Sequence, residues 1–222
     1  MQAKVFTLPI IEPISLYELK THLRVEFDQT HEDELLESII IASREYVEDM
    51  TRRALLTQTW DYFPPNWPGR YGFRGIPSRY HNPEYVQTDS LEAYYIKLPF
   101  GNLQSITSVK WKDIYGVETT LTLNTDYIVE TNGDQCGKIV LPYGKVWPTW
   151  SLYPSNPISI RFVCGWTTAA LIPYKIKAAM KMIASDLYEH RESFIEASSR
   201  TVIAENVVPE RLLMSARLWD EF

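Results

Sequence analysis

Apolar residues recur every three or four positions in two stretches of this chain, and every second position in the long stretch between them. Near the start, Leu16, Leu19 and Leu23 fall on one face, with Lys20 and Arg24 expected to point outward. Ser15 stands just ahead of this run with Glu18 three residues on, the spacing of a capping box, so the pattern predicts a short helix over Leu16 to Leu23. A polar break leads into a longer helical pattern, about His31 to Ala54. Its stripe is Leu36, Ile39, Ile40, Ser43, Val47 and Met50, widened by Leu35, Ala42 and Tyr46.

From Leu55 the period drops to two. Thr57, Thr59 and Asp61 alternate with Gln58, Trp60 and Tyr62, and further strand patterns follow at about Tyr94–Leu98, Ile106–Lys112, Glu118–Leu123, Tyr127–Glu130, Lys138–Leu141 and Ile158–Val163. Hairpin-length turns such as Tyr115-Gly116 and Asn132-Gly133-Asp134 separate them, which predicts an antiparallel β-meander. Residues 64–90 break the alternation. They are rich in Pro and aromatics, which reads as an ordered insertion rather than a Gly/Ser linker. Pro173 then stands at the start of a second long helix, about Tyr174 to Ile195, with Ile176, Met180, Ile183, Leu187 and Phe194 on one face.

The expected fold is α+β: two long helices packed together as a helical body, the meander inserted between them, and an extended C-terminal arm. The expected divisions are 1–55 plus 172–197 for the helical body, 56–171 for the β-rich domain, and 198–222 for the arm. The arm is polar and then amphipathic, with Val207, Val208, Leu212, Leu213, Leu218, Trp219 and Phe222 among Arg200, Arg211 and Arg217. A segment of that kind either packs on its own domain or docks on another chain. The pattern alone leaves both readings open.

Composition narrows the classes. The chain has 222 residues, 45% hydrophobic and 23% charged, but 13% aromatic, with 14 Pro against 9 Gly. That excludes a disordered tail and a plain helical bundle. A mean hydropathy of -0.22 and the lack of a long apolar run argue against a membrane span, and the first residues have no secretory leader pattern, so a soluble, unprocessed product is expected. The formal charge of -6 argues against a protein built to neutralise nucleic-acid phosphates. The acid is concentrated on the first long helix, where Asp33, Glu34 and Glu37 open it and Arg52 and Arg53 are expected to close it, complementing the helix dipole. Glu45, Glu48 and Asp49 are not explained by the dipole; they mark either a solvated face or an interface.

Catalytic chemistry finds little support in the sequence. The histidines are His22, His31, His81 and His190, none in an i, i+4 pair, and there is no HExxH, CxxC, GxSxG, P-loop or GxGxxG pattern. The group His31 to Glu34 fans around a helix start, and Tyr188 to Arg191 fans around another helix, so both read as structural. No enzyme, metal or cofactor is expected. Cys136 and Cys164 read as thiols in a reducing compartment. Trp67, Arg70, Tyr71, Phe73, Arg74 and Tyr80 mix aromatics with arginines, as protein interfaces do. The competing reading is a monomeric β-domain that binds carbohydrate or a host receptor through Trp67, Tyr71, Phe73 and Tyr80.

The first fifty-odd residues carry a longer signature. Leu16, Glu18, Lys20, His22, Leu23 and Arg24, followed by Asp33, Leu35, Ile39, Ala42, Arg44, Val47, Glu48, Thr51, Arg53 and Leu55, resemble the paired-helix signature of the phage head-tail connector family, the adaptor or head-completion proteins. The likeness continues through the LPFGNLQSITSVKWKDIYG, TDYIVE, KIVLP and RFVCGW segments and the helix from Ile172; the insertion and the tail depart from it. The resemblance implies a non-enzymatic virion subunit of the phage neck, made in the host cytoplasm. Such subunits form a ring of about a dozen copies on the portal of a filled head, extend the DNA channel, and offer a surface to tail-side proteins. It also implies that the arm docks on the portal through Val207, Val208, Arg211, Leu212, Leu213, Arg217, Trp219 and Phe222. The aromatic insertion then serves subunit or neighbour contacts, and Glu45, Glu48 and Asp49 form an acidic channel or interface face.

Overall fold

A computed structural model of the chain describes residues 3–68, 95–148, 151–190 and 208–219. It is α+β, with α-helices and antiparallel sheets, and it divides into two compact units. The helical unit takes Pro9–Thr57 and the described part of Trp166–Trp219; the β unit takes the first strand and Gln58–Gly165.

In the helical unit, α1 spans Leu16–Leu23, α2 Asp33–Thr51, α3 Tyr174–Glu189 and α4 Val208–Met214. The capping box predicted at α1 is present: the Glu18 N–H donates to Ser15 Oγ at 3.1 Å, and the Ser15 N–H donates to Glu18 Oε2 at 2.9 Å. Arg24 closes the helix in the left-handed region (φ 59°), where it returns its N–H to the last carbonyls. α2 buries Leu36, Ile39, Ile40, Ser43 and Val47, as its stripe predicts, whereas Ala42 and Tyr46 stay exposed. α3 starts after Pro173 and buries Ile176, Ala179, Met180 and Ala184; small alanines take the closest approach, and Leu187 is exposed instead. One apolar core collects Ile14 and Leu19, Leu36 to Val47, Ile176 to Ala184, and Leu213.

Two charged residues depart from expectation. Lys20 does not point outward: it is 4% exposed, with Nζ 2.8 Å from the Gln29 carbonyl and 2.5 Å from Asp33 Oδ1, so its charge is matched where it is buried. Nor do Arg52 and Arg53 complete the last turn of α2. Arg52 turns left-handed (φ 55°) and ends the helix at Thr51, and Arg53 is buried with its Nε donating to the Ala216 carbonyl at 2.6 Å.

The β unit holds a five-stranded sheet in the order β1-β2-β8-β4-β5 and a three-stranded sheet in the order β3-β7-β6, all antiparallel. The strands are β1 Ala3–Thr7, β2 Gln58–Tyr62, β3 Tyr95–Lys97, β4 Leu103–Lys112, β5 Glu118–Leu121, β6 Ile128–Glu130, β7 Lys138–Val140 and β8 Ile158–Cys164. The topology is thus not a single meander. β8 buries Ile158, Ile160, Phe162 and Cys164, which suits a central place between β2 and β4 rather than an edge. A bidentate pair, Arg161 to Asp61 at 2.7 and 2.8 Å, bridges β8 and β2 across their register. Beyond the ladders, Trp67 is buried and stacks on Trp147 at 4.8 Å. Cys136 and Cys164 are buried thiols, not bridged to each other.

The cap of α1 yields a prediction. Burial pushes the Glu18 carboxyl upward, but the Ser15 N–H together with Lys177 and Lys181 outweighs it and holds the group below its ordinary range. A depressed carboxylate stabilises the fold above its unfolded pKa, and that share is lost as pH falls through the folded value. Glu18→Gln keeps a capping acceptor and removes the charge. Urea unfolding of this variant is expected to show a loss of roughly 0.5 kcal/mol at pH 7, and the gap should close by pH 3. Ser15→Ala should instead cost about 1 kcal/mol at both pH values.

Candidate functional site

The second half of α2 carries the acids that the helix dipole leaves unexplained, and the structure separates them. Arg44 lies on the inner face, 3% exposed, and its guanidinium reaches Glu12 Oε2 at 2.9 Å and Glu48 Oε2 at 2.8 Å, with Glu45 Oε1 at 3.6 Å. The other oxygen of Glu48 accepts the Leu55 N–H at 2.8 Å. Glu48 is therefore a structural link between Arg44 and the chain leaving α2, and it does not belong to an open acidic face. Burial pushes the Glu12 carboxyl above its ordinary range more strongly than Arg44 pulls it down. Glu45 and Asp49 remain exposed.

Glu45 and Asp49 share a stripe of α2 with Ala42 and Tyr46, by their three- and four-residue spacing. Beside that stripe lies a groove of about 440 Å³, floored by Tyr46, Ile183, Leu187 and Pro209, with Asp186, His190 and Glu210 at its rim. Leu187, expected in the core, is spent on this groove. No spacing in the sequence announces the groove, because it exists only where α2, α3 and α4 come together.

The C-terminal residues are placed differently from an extended arm. Over 208–219 the chain forms α4 and a short tail folded onto the helical unit: Leu213, Ala216 and Leu218 are buried, and the Leu218 N–H donates to the Thr51 carbonyl at 3.0 Å. Lys175 Nζ adds bonds to Ser215, and Leu212 packs against the core. The cause is apolar: Leu213 and Leu218 gain more from the core of their own unit than from solvent. Of the residues assigned to docking, Val208, Arg211 and Trp219 remain outward, Trp219 at 66% exposure, and Arg217 lies over the Trp219 ring at 5.2 Å. Val207 and Phe222 lie outside the described residues.

Of the insertion residues, Arg70, Tyr71, Phe73, Arg74 and Tyr80 also lie outside the described residues. Trp67 is buried against Trp147, so it has no face to offer a sugar. Among the described residues, no group of three or more His, Cys, Asp or Glu side chains is placed to hold a metal ion, and no helix is long and apolar enough to cross a membrane.

Comparison with known proteins gives two findings. Residues 13–93 match the model of the phage gp6-like head-tail connector protein family, so the resemblance read from the first helices holds over that segment. No curated protein matches the chain. Among solved structures, the fold is similar to a chain from the virion of a native gene transfer agent particle and to one from the neck of an empty such particle computed with C6 symmetry. Each gives a TM-score of 0.70 at 18% identity and covers 100% of this chain and 98% of that one. A chain from the neck of the native particle computed with C12 symmetry gives 0.65 at 17%, with the same coverage. At such identity the likeness is one of fold.

The Arg44 cluster makes a sharp prediction. Removing the guanidinium leaves Glu12 and Glu48 without their shared cation, so Arg44→Leu is expected to cost about 3 kcal/mol in urea unfolding. Glu45→Gln, at an exposed position, should change stability by less than about 0.5 kcal/mol. Near-equal effects of the two changes would contradict this placement of charge.

Proposed function

We propose that this chain is a structural subunit of a phage-type neck: a ring of copies that attaches to the portal of a DNA-filled head, extends the DNA channel, and presents a surface for tail-side proteins. The observation that carries the reading is the joint match of residues 13–93 to head-tail connector proteins and of the whole fold to chains from particle necks. Two of those necks are computed with six-fold and twelve-fold symmetry, which favours a ring of about a dozen copies for this chain as well. The role is structural rather than catalytic, and its place is the virion.

Charge supports the reading. A conduit for DNA must not hold phosphates, and a net charge of -6, with exposed Glu34 and Glu37 on α2, suits a surface past which DNA slides. Portal docking falls to the outward residues of the C-terminal segment, Val208, Arg211 and Trp219; arginine and tryptophan are the residue types enriched where interfaces bind most strongly. Leu213 and Leu218 hold α4 in place behind them.

The test uses surface changes, because truncating the segment would strip Leu213 and Leu218 from the core. Arg211→Glu combined with Trp219→Ala should leave thermal unfolding within about 2 °C of the parent and weaken co-sedimentation with purified portal roughly tenfold or more. Undiminished portal binding by the double variant would remove the docking assignment. Failure of the parent chain to bind portal at all would remove the neck reading.

A further inference from the structure

The groove on the helical unit asks for an occupant that is apolar and positively charged. Its floor is Tyr46, Ile183, Leu187 and Pro209, its rim carries Glu210 with Asp186 and His190, and Asp49 continues the negative charge along α2. A partner that buries the floor therefore gains by bringing a cation to the rim.

The β unit presents such a shape. The turn after β7 exposes Tyr143 fully and Val146 at 82%, with the Lys145 ammonium between them, only loosely engaged by Asp126 at 3.8 Å. Exposed apolar side chains on a floppy loop would mean little, but this turn is held. Lys145 donates its N–H to the Pro142 carbonyl at 3.0 Å, and Gly144 takes the left-handed backbone (φ 78°) that closes the turn. Leu141 and Trp147 are buried on either side, the latter in the stack with Trp67. A turn fixed in this way loses little entropy when it binds.

We infer that the Tyr143–Val146 turn of one copy seats in the acidic-rimmed groove between α2, α3 and α4 of the next copy. The inference rests on the ring reading above and names a contact that builds the ring. Knob and groove are different surfaces of the same chain, so the contact is head-to-tail, the kind that propagates around a ring when the rotation between copies closes. Tyr143 and Val146 meet the apolar floor, and Lys145 meets Glu210.

Cysteine cross-linking tests it, because both native thiols are buried and the new positions are exposed. Tyr143→Cys and Leu187→Cys are prepared separately, mixed at micromolar concentration with and without portal, and oxidised with copper phenanthroline; sedimentation reports ring assembly in the same samples. The mixture should give a disulfide-linked dimer that neither variant gives alone, and the two changes on one chain should give a ladder up to the full ring. A ring that sediments normally but yields no mixed dimer overturns this contact and leaves the ring reading standing. Self-linking of Tyr143→Cys alone would mean a symmetric contact and overturns it equally. A chain that stays monomeric under every condition, without cross-links, overturns both.

Discussion

The helical unit depends on one buried charge. Arg44 sits on the inner face of α2, where an unmatched guanidinium would be costly, and its surroundings are arranged to match it. Glu12 comes from the segment ahead of α1, and Glu48 comes from the next turn of α2 and also takes the Leu55 N–H. The chain entering the unit and the chain leaving α2 are thus tied to the same point. The Lys20 to Asp33 pair repeats the device on a smaller scale, joining α1 to the start of α2. Both interactions specify which residues meet, while the apolar core from Ile14 to Leu213 supplies the larger driving force.

This arrangement sorts the acids of α2 by purpose. Glu48 is consumed inside the unit, whereas Glu45 and Asp49 stay at the surface beside an apolar groove. The same sorting occurs at the C-terminus, where Leu213 and Leu218 serve the core and Arg211 and Trp219 remain outward. The division suits the proposed role: enough apolar surface spent internally to fold, and a limited, charge-edged remainder for neighbours. The rigid Tyr143–Val146 turn in the β unit fits the same economy.

Features that depend on neighbours in sequence were legible from the sequence. The Ser15 and Glu18 cap, the ends of α1 and the alternation in β4 to β8 follow from spacings within a few residues. Features that depend on distant partners were not. The sequence pattern assigns no element ahead of Ser15, yet Ala3–Thr7 is a strand because its partner is Gln58–Tyr62, more than fifty residues on. The central place of β8 has the same origin, since it pairs with β2 and β4 rather than with the strand before it. Lys20 looks like a surface lysine until Gln29 and Asp33 are brought beside it. The groove needs three helices in place at once, so no spacing announces it. What the sequence did carry about function was the pattern of residues over α1 and α2, because that pattern reflects local helix chemistry together with the positions of Arg44 and Glu48.

A ring subunit in a phage-type neck would show itself in images of particles in which this chain carries a compact label at its N-terminus. Label density is expected in a ring at the junction between the portal vertex and the tail, with one label per subunit. Density elsewhere on the particle, or particles complete to the tail without it, would contradict the neck reading.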